Sequence, residues 1–253
     1  MSDFAGEQHF NRVVSERLIV QMDFSALRQE SFRVSPDVRR VAFPDLASSK
    51  SNKWVVNVDG KEGEQYDGIG QGTITFSPDS QRLAYVAKVG KKQLVVVDGK
   101  EEEPYDGISE GPITFSPDSR RIAYVAALGK RQLMVIDGQE EEPYHGIQFL
   151  PIFSPDSKRV AYVASTGKKC LVLVDGEENR EYDGFGIGSF IFSPDSKRAA
   201  YMAVRRKRQL VVVDGKEAGE YDLVRALVFS ADSRRLAYMV RKGKKDLRSL
   251  SAT

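Results

Sequence analysis

The chain has 253 residues, with 38 basic and 36 acidic side chains and a formal charge of +2, so net charge by itself points to no polyanionic or polycationic partner. The single cysteine, Cys170, excludes an intramolecular disulfide. No apolar run approaches the roughly 18 residues a membrane helix needs, so no membrane insertion is expected.

The first ten residues lack a basic segment followed by an apolar run, so they do not read as a signal peptide, and the expected location is cytoplasmic. Residues 1–14 are expected to form a tail, and 15–253 a single domain. That domain opens with a predicted strand, Arg17–Asp23, and then repeats one unit. The copy from Thr114 to Gly138 shows the unit most clearly. A short apolar strand runs into a Ser-Pro-Asp-Ser turn. A second strand, Arg121–Ala126, leads to a Gly-Lys-Arg turn. A third, Gln132–Ile136, ends in Asp137-Gly138. A fourth strand is predicted through Tyr144. These strands are called a to d within each unit.

The Ser-Pro-Asp landmark recurs at Asp37, Asp79, Asp118, Asp156, Asp195 and, as Ala-Asp, at Asp232. Asp-Gly recurs at Gly60, Gly99, Gly138, Gly176 and Gly215, each followed by a tyrosine: Tyr66, Tyr105, Tyr144, Tyr182 and Tyr221. Proline fits the second position of a type I turn, and Asp-Gly between apolar strands is a strong hairpin signal, since a type I′ turn needs positive φ twice. Runs such as Val95–Val97 and Val211–Val213 are apolar on both faces and must be covered on both. A period of about 40 residues with several short strands matches a propeller blade. The expected fold is all-β: a six-bladed β-propeller of four-stranded antiparallel blades. In it Arg17–Asp23 supplies the missing strand of the last blade and so leaves no open edge.

The recurring Phe-Ser-Pro-Asp-Ser-(Lys/Arg)-Arg-x-Ala-Tyr resembles the Pro-Asp propeller repeat of TolB-like proteins and of the propeller domains of some prolyl peptidases, over residues 31–250. The resemblance implies a propeller fold. For function it implies a protein-interaction module, as in TolB-like proteins, or a gate for a hydrolase domain, as in the peptidases. The Trp-Asp pair of WD-repeat proteins is missing, the only tryptophan being Trp54.

Propeller geometry places the a–b and c–d turns on one end and the b–c and d–a turns on the other. The c–d turns are acidic, with Glu101–Glu103, Glu140–Glu142 and Glu177-Glu178. The b–c turns carry Lys91, Lys92, Lys130, Arg131, Lys168, Lys169, Arg206, Lys207, Lys244 and Lys245. The chain is thus expected to have an acidic end and a basic rim, and such a rim attracts an oppositely charged partner. With few aromatics between these cations, base stacking is not expected and neither is nucleic acid. A second candidate is the ring at the d–a turns: Asp23, Asp67, Asp106, His145, Asp183 and Asp222, with His145 where the other copies carry Asp. Clustered carboxylates suit a hard cation such as calcium, although Asp is also favoured in turns for its own backbone bonds. Strand a is expected to line the tunnel with Ile, Thr and Phe, which supply no acid, base or nucleophile. Cys170 sits where other copies have Gln and reads as packing. No catalytic residue or cofactor is assigned. Two functions follow: a monomeric, non-catalytic scaffold for a protein partner, or a calcium-assisted esterase or lactonase at the d–a mouth.

Overall fold

The computed structural model describes residues 32–47, 52–109, 111, 113–243 and, for the backbone alone, 245–252. Among them there is no helix. The third sheet shows how the sequence becomes structure. Ile122–Leu128 pairs antiparallel with Arg131–Ile136, which pairs in turn with Gln139–Glu140. On its other side Ile122–Leu128 takes two short pieces, Gly107–Ile108 and Thr114–Phe115. Strand a is therefore a strand in two pieces, and it starts directly after Asp106 rather than at Ile113. Strand d begins directly after the Asp-Gly turn and is completed by Tyr144, which bridges to Gln132.

Five sheets of four or five strands follow one another, and a sixth contains three: Leu223–Phe229, Arg235–Lys242 and Lys245–Ala252. The predicted strand Arg17–Asp23 lies outside the described residues. Consecutive sheets pack face to face, with one apolar layer between each pair. The layer between the second and third contains Val95, Ile113, Leu133 and Val135, each at most 1% exposed. Alanines such as Ala84 and Ala126, with no exposed surface, let neighbouring sheets approach. This serial stacking of antiparallel sheets is a β-propeller arrangement.

The turns have the conformations their residues dictate. Asp137 and Gly138 have φ of 53° and 77°, and the other Asp-Gly pairs match them, as a type I′ turn requires. In the Ser-Pro-Asp-Ser turn the Ser119 amide donates to the Ser116 carbonyl at 2.9 Å, and Ser119 itself sits at φ 65°. Glycine is the usual residue in that conformation. Serine is used because its buried hydroxyl accepts the Asp79 amide of the preceding sheet at 3.0 Å. The same bond recurs from Asp37 to Ser80, Asp118 to Ser157, Asp156 to Ser196 and Asp195 to Ser233.

A second tie crosses each of these seams. The Arg121 guanidinium donates to Asp137 Oδ2 at 2.7 Å within its own sheet. It also reaches the Ser157 and Lys158 carbonyls of the next sheet at 3.2 and 2.6 Å, and it lies over the Phe153 ring at 5.3 Å. Arg40, Arg82 and Arg159 repeat all of this. Arg198 binds Asp214, the Arg234 carbonyl and the Phe229 ring. Only a planar, multi-donor cation can satisfy a carboxylate, two carbonyls and a ring face together.

Arg121→Ala leaves two carbonyls and a carboxylate without their donor, so it should lower the unfolding free energy by about 2 kcal/mol in urea titrations. Arg121→Lys should recover less than half of that loss, because an ammonium cannot span the site.

Candidate functional site

The d–a junction is a single residue between strand d of one sheet and strand a of the next. At Asp106 the amide donates to the Ala127 carbonyl at 3.1 Å, fixing the backbone onto the following sheet. Its side chain then joins two sheets. Oδ1 accepts Lys92 Nζ at 2.6 Å from the preceding sheet, and Oδ2 accepts the Gly129 amide at 2.7 Å from the b–c turn of the next. Asp67 does the same with Lys53 and Gly90, both at 2.7 Å. Asp183 binds Lys169 and the Arg206 amide, and Asp222 binds Arg208 and the Gly243 amide. These bonds hold the carboxyls of Asp67, Asp106 and Asp183 below the usual carboxylate range, the lysine contributing most. For Asp222 the Gly243 amide contributes most.

The predicted ring is thus distributed as four separate clamps, one per seam. Among the described residues no three His, Cys, Asp or Glu side chains converge in a metal-holding geometry. Asp23 lies outside the described residues. His145 occupies the clamp position at the seam between the third and fourth sheets. Its amide donates to the Ser165 carbonyl at 3.0 Å, as Asp106 does to Ala127, but it brings no carboxylate.

The clamps also redefine the basic rim. Lys92 and Lys169 are neutralised by Asp106 and Asp183. Lys244 lies outside the described residues, as does the Lys245 side chain. Lys91, Lys130, Arg131, Lys168, Arg206 and Lys207 are exposed. None of these six has a carboxylate partner among the described residues. Arg206 and Lys207 have φ of 49° and 66°, where the equivalent turns place glycine first. Two successive non-glycine residues in that region are strained.

The opposite end is less uniformly acidic than the c–d turns suggest, because the clasp arginines and the a–b turns bring cations there. A groove of about 1070 Å³ between the fourth and later sheets is lined by Arg159, Arg198, Lys197 and Lys216 as well as Asp175 and Glu217. A smaller one of about 420 Å³ lies between the first two sheets. The third residue after each Asp-Gly turn differs between units. It is Gly63 in the first unit, beside the smaller groove, and Ala218 in the fifth, beside the larger. In the second, third and fourth units Glu102, Glu141 and Asn179 reach across toward Gly138, Gly176 and Gly215. Burial, reinforced by Asp137, pushes the Glu102 carboxyl up.

Two roles were hidden from sequence reasoning. Gln93 and Gln132 accept the amides of Ile108 and Ile147 on the next sheet, at 2.7 and 2.8 Å, and Gln209 accepts that of Val224. Cys170 stands in this position, is buried, and supplies no such acceptor; burial also pushes its thiol up. Glu178 accepts the Tyr144 hydroxyl across the seam at 2.6 Å. Recurrence of Gln at one position in three copies was the available signal.

No family model matches the chain, and no curated protein does. Solved structures do. TolB from Acinetobacter baumannii aligns over 85% of this chain and 61% of its own at 18% identity, with a TM-score of 0.38. A eukaryotic initiation factor aligns over 93% and 65% at 14% identity, with a TM-score of 0.53. The β-propeller domain of the trilobed protease from Pyrococcus furiosus aligns over 87% and 81% at 13% identity, with a TM-score of 0.42. The chain spans under two thirds of the length of the first two. At these identities the likeness concerns fold alone.

Two pH effects follow. The clamp and Ser-Pro-Asp carboxyls have depressed folded pKa values, so their stabilisation is present above the ordinary carboxylate range and is lost as pH falls through the folded values. The thermal midpoint should hold from pH 7 to about 5 and fall below about 4. Glu102 has the opposite sign: its raised folded value makes the ionised form a cost, so Glu102→Gln should raise the midpoint at pH 7 and match the parent protein below pH of about 4.

Proposed function

We propose that this chain is a non-catalytic scaffold, a six-bladed propeller whose last blade is completed by Arg17–Asp23, which binds an acidic protein partner through its b–c and d–a end. The carrying observation is the set of six exposed cations at that end, Lys91, Lys130, Arg131, Lys168, Arg206 and Lys207, without carboxylate partners among the described residues. Two features support the reading. At the Asp106, Asp183 and Asp222 seams the clamp neutralises one cation and leaves its neighbour, Lys91, Lys168 or Lys207, without a carboxylate partner among the described residues. Arg206 and Lys207 hold cations in a backbone conformation that disfavours them, and strain retained at a surface marks a place where the side chain matters. Like-signed rims of this kind speed association with opposite charges and make it salt-dependent.

Nucleic acid is the weaker fit, because the free cations have no interleaved aromatics for base stacking. The calcium-assisted hydrolase at the same mouth draws no support from carboxylates whose oxygens already hold a cation and an amide.

Poly-L-glutamate serves as the probe. Calorimetry should show binding whose affinity falls steeply between about 50 and 300 mM salt, with none for poly-L-lysine. Combined Lys130→Glu, Lys168→Glu and Lys207→Glu changes should weaken it at least tenfold, whereas equal affinity for parent and charge-reversed proteins would overturn the reading.

A further inference from the structure

The copies of the repeat act as controls for one another, and one of them lacks a part. At four seams the d–a aspartate fills a fixed constellation of donors: a cation at the start of strand c on one sheet and a b–c turn amide on the next. At the seam between the third and fourth sheets the donors remain and the carboxylate is gone. Arg131 occupies the position of Lys92, and among the described residues its guanidinium donates only to the Pro143 carbonyl at 3.3 Å. Gly167 occupies the position of Gly129, and its amide makes only a long 3.3 Å bond to Ser165 Oγ in its own turn. His145 replaces the aspartate and is exposed, with no hydrogen-bond partner for its ring among the described residues.

The strand backbone around this gap matches the filled seams, whereas the b–c turn differs, Gly167 having φ of 105° against 59° and 61° for Gly90 and Gly129. Gln132 and Tyr144 exchange amide–carbonyl bonds at 3.0 and 2.8 Å, as Gln93 and Tyr105 do, and the His145 amide holds the Ser165 carbonyl. Arg131 and Gly167 therefore occupy, one seam along, the positions from which Lys92 and Gly129 grip the two oxygens of Asp106. A surface left with a guanidinium, an imidazole and a backbone amide, and without its usual acceptor, is a site for an anion of carboxylate shape. The neighbouring Lys130 and Lys168, both exposed, add favourable charge.

We propose that this seam binds a carboxylate side chain, Asp or Glu, of a partner protein, which completes the clamp in trans where the other seams complete it in cis. The proposal rests on the acidic-partner reading and gives it one anchoring point: the rim as a whole attracts, and this seam fixes register. Arg131 grips one oxygen, the Gly167 amide turns from Ser165 to the other, and the His145 ring donates from the side. No covalent step is involved.

The test uses acetate as the isolated group and the full chain as the receptor. The chain has two histidines, so the His9 ring serves as an internal control for the His145 ring in NMR titrations. Acetate should shift the His145 ring and the Gly167 amide along a saturable curve, chloride at matched ionic strength should not, and His9 should stay still. His145→Asp should restore the internal clamp, raise the thermal midpoint and abolish the acetate response. Arg131→Ala should abolish the response without that gain. Identical drift with acetate and chloride, or a full response in His145→Asp, would sink the proposal. Retained poly-L-glutamate binding in that event would leave the scaffold reading standing, whereas loss of poly-L-glutamate binding with a saturable acetate site would separate them the other way.

Discussion

One guanidinium at each described seam holds this structure in its form. Apolar layers between sheets supply most of the stabilisation, but they are non-directional and would tolerate sliding or rotation of one sheet over the next. The clasp does not. Arg121 joins the end of its own hairpin at Asp137 to two carbonyls and a ring on the next sheet, and each of those contacts has a narrow angular range. The buried Ser157 hydroxyl, receiving the Asp118 amide, fixes the same seam from a second direction. The angle between neighbouring sheets is therefore set at the a–b and c–d end by arginine and serine, and at the opposite end by the aspartate clamp.

That division of labour separates structure from function within one sequence. Positions that tie sheets together are kept from copy to copy. The Arg three residues after the Ser-Pro-Asp aspartate is Arg40, Arg82, Arg121, Arg159, Arg198 and Arg235, while the residue before it wanders among Arg39, Gln81, Arg120, Lys158, Lys197 and Arg234. The d–a aspartate belongs to the kept class, and this changes the meaning of His145. Beside catalytic candidates it would be a possible ligand. Beside clamps it is a missing acceptor, and the donors it strands become available. The basic rim changes in the same way, from ten like cations to a few neutralised ones and a smaller set that remains free.

The sequence made the periodic parts legible because they are local. Asp-Gly dictates a type I′ turn and Ser-Pro-Asp a type I turn through the conformations of those few residues alone, and double-faced valine runs demand cover on both sides. The cross-seam contacts were not legible, because their partners lie about a full repeat apart: Arg121 meets Asp137 within its unit but Ser157 and Phe153 in the next. Nothing in a basic pair such as Arg120-Arg121 says which member is solvated and which is clasped. The break in strand a was missed for a different reason. Gly107-Ile108 directly follows an aspartate and reads as a turn, yet Gly107 pairs opposite Ala127, so the chain enters the new sheet at once.

The end units show how far the repeat logic extends. The sixth arginine, Arg235, has the sequence position of a clasp but no hydrogen bond or ring contact from its guanidinium among the described residues. The first unit is altered at the matching points. Val34 stands where every later unit has a Phe under an arginine: Phe76, Phe115, Phe153, Phe192 and Phe229. Val38 stands where the buried serine accepts an amide. Val38 still adopts the turn's positive φ, at 60°, although a β-branched residue strongly resists it, and it is 71% exposed. The turn geometry is thus retained after its hydroxyl has been lost, so that geometry comes from the Ser-Pro-Asp backbone and not from the bond it elsewhere supports. A first unit without ring or hydroxyl cannot receive Arg235 in the way its neighbours receive theirs.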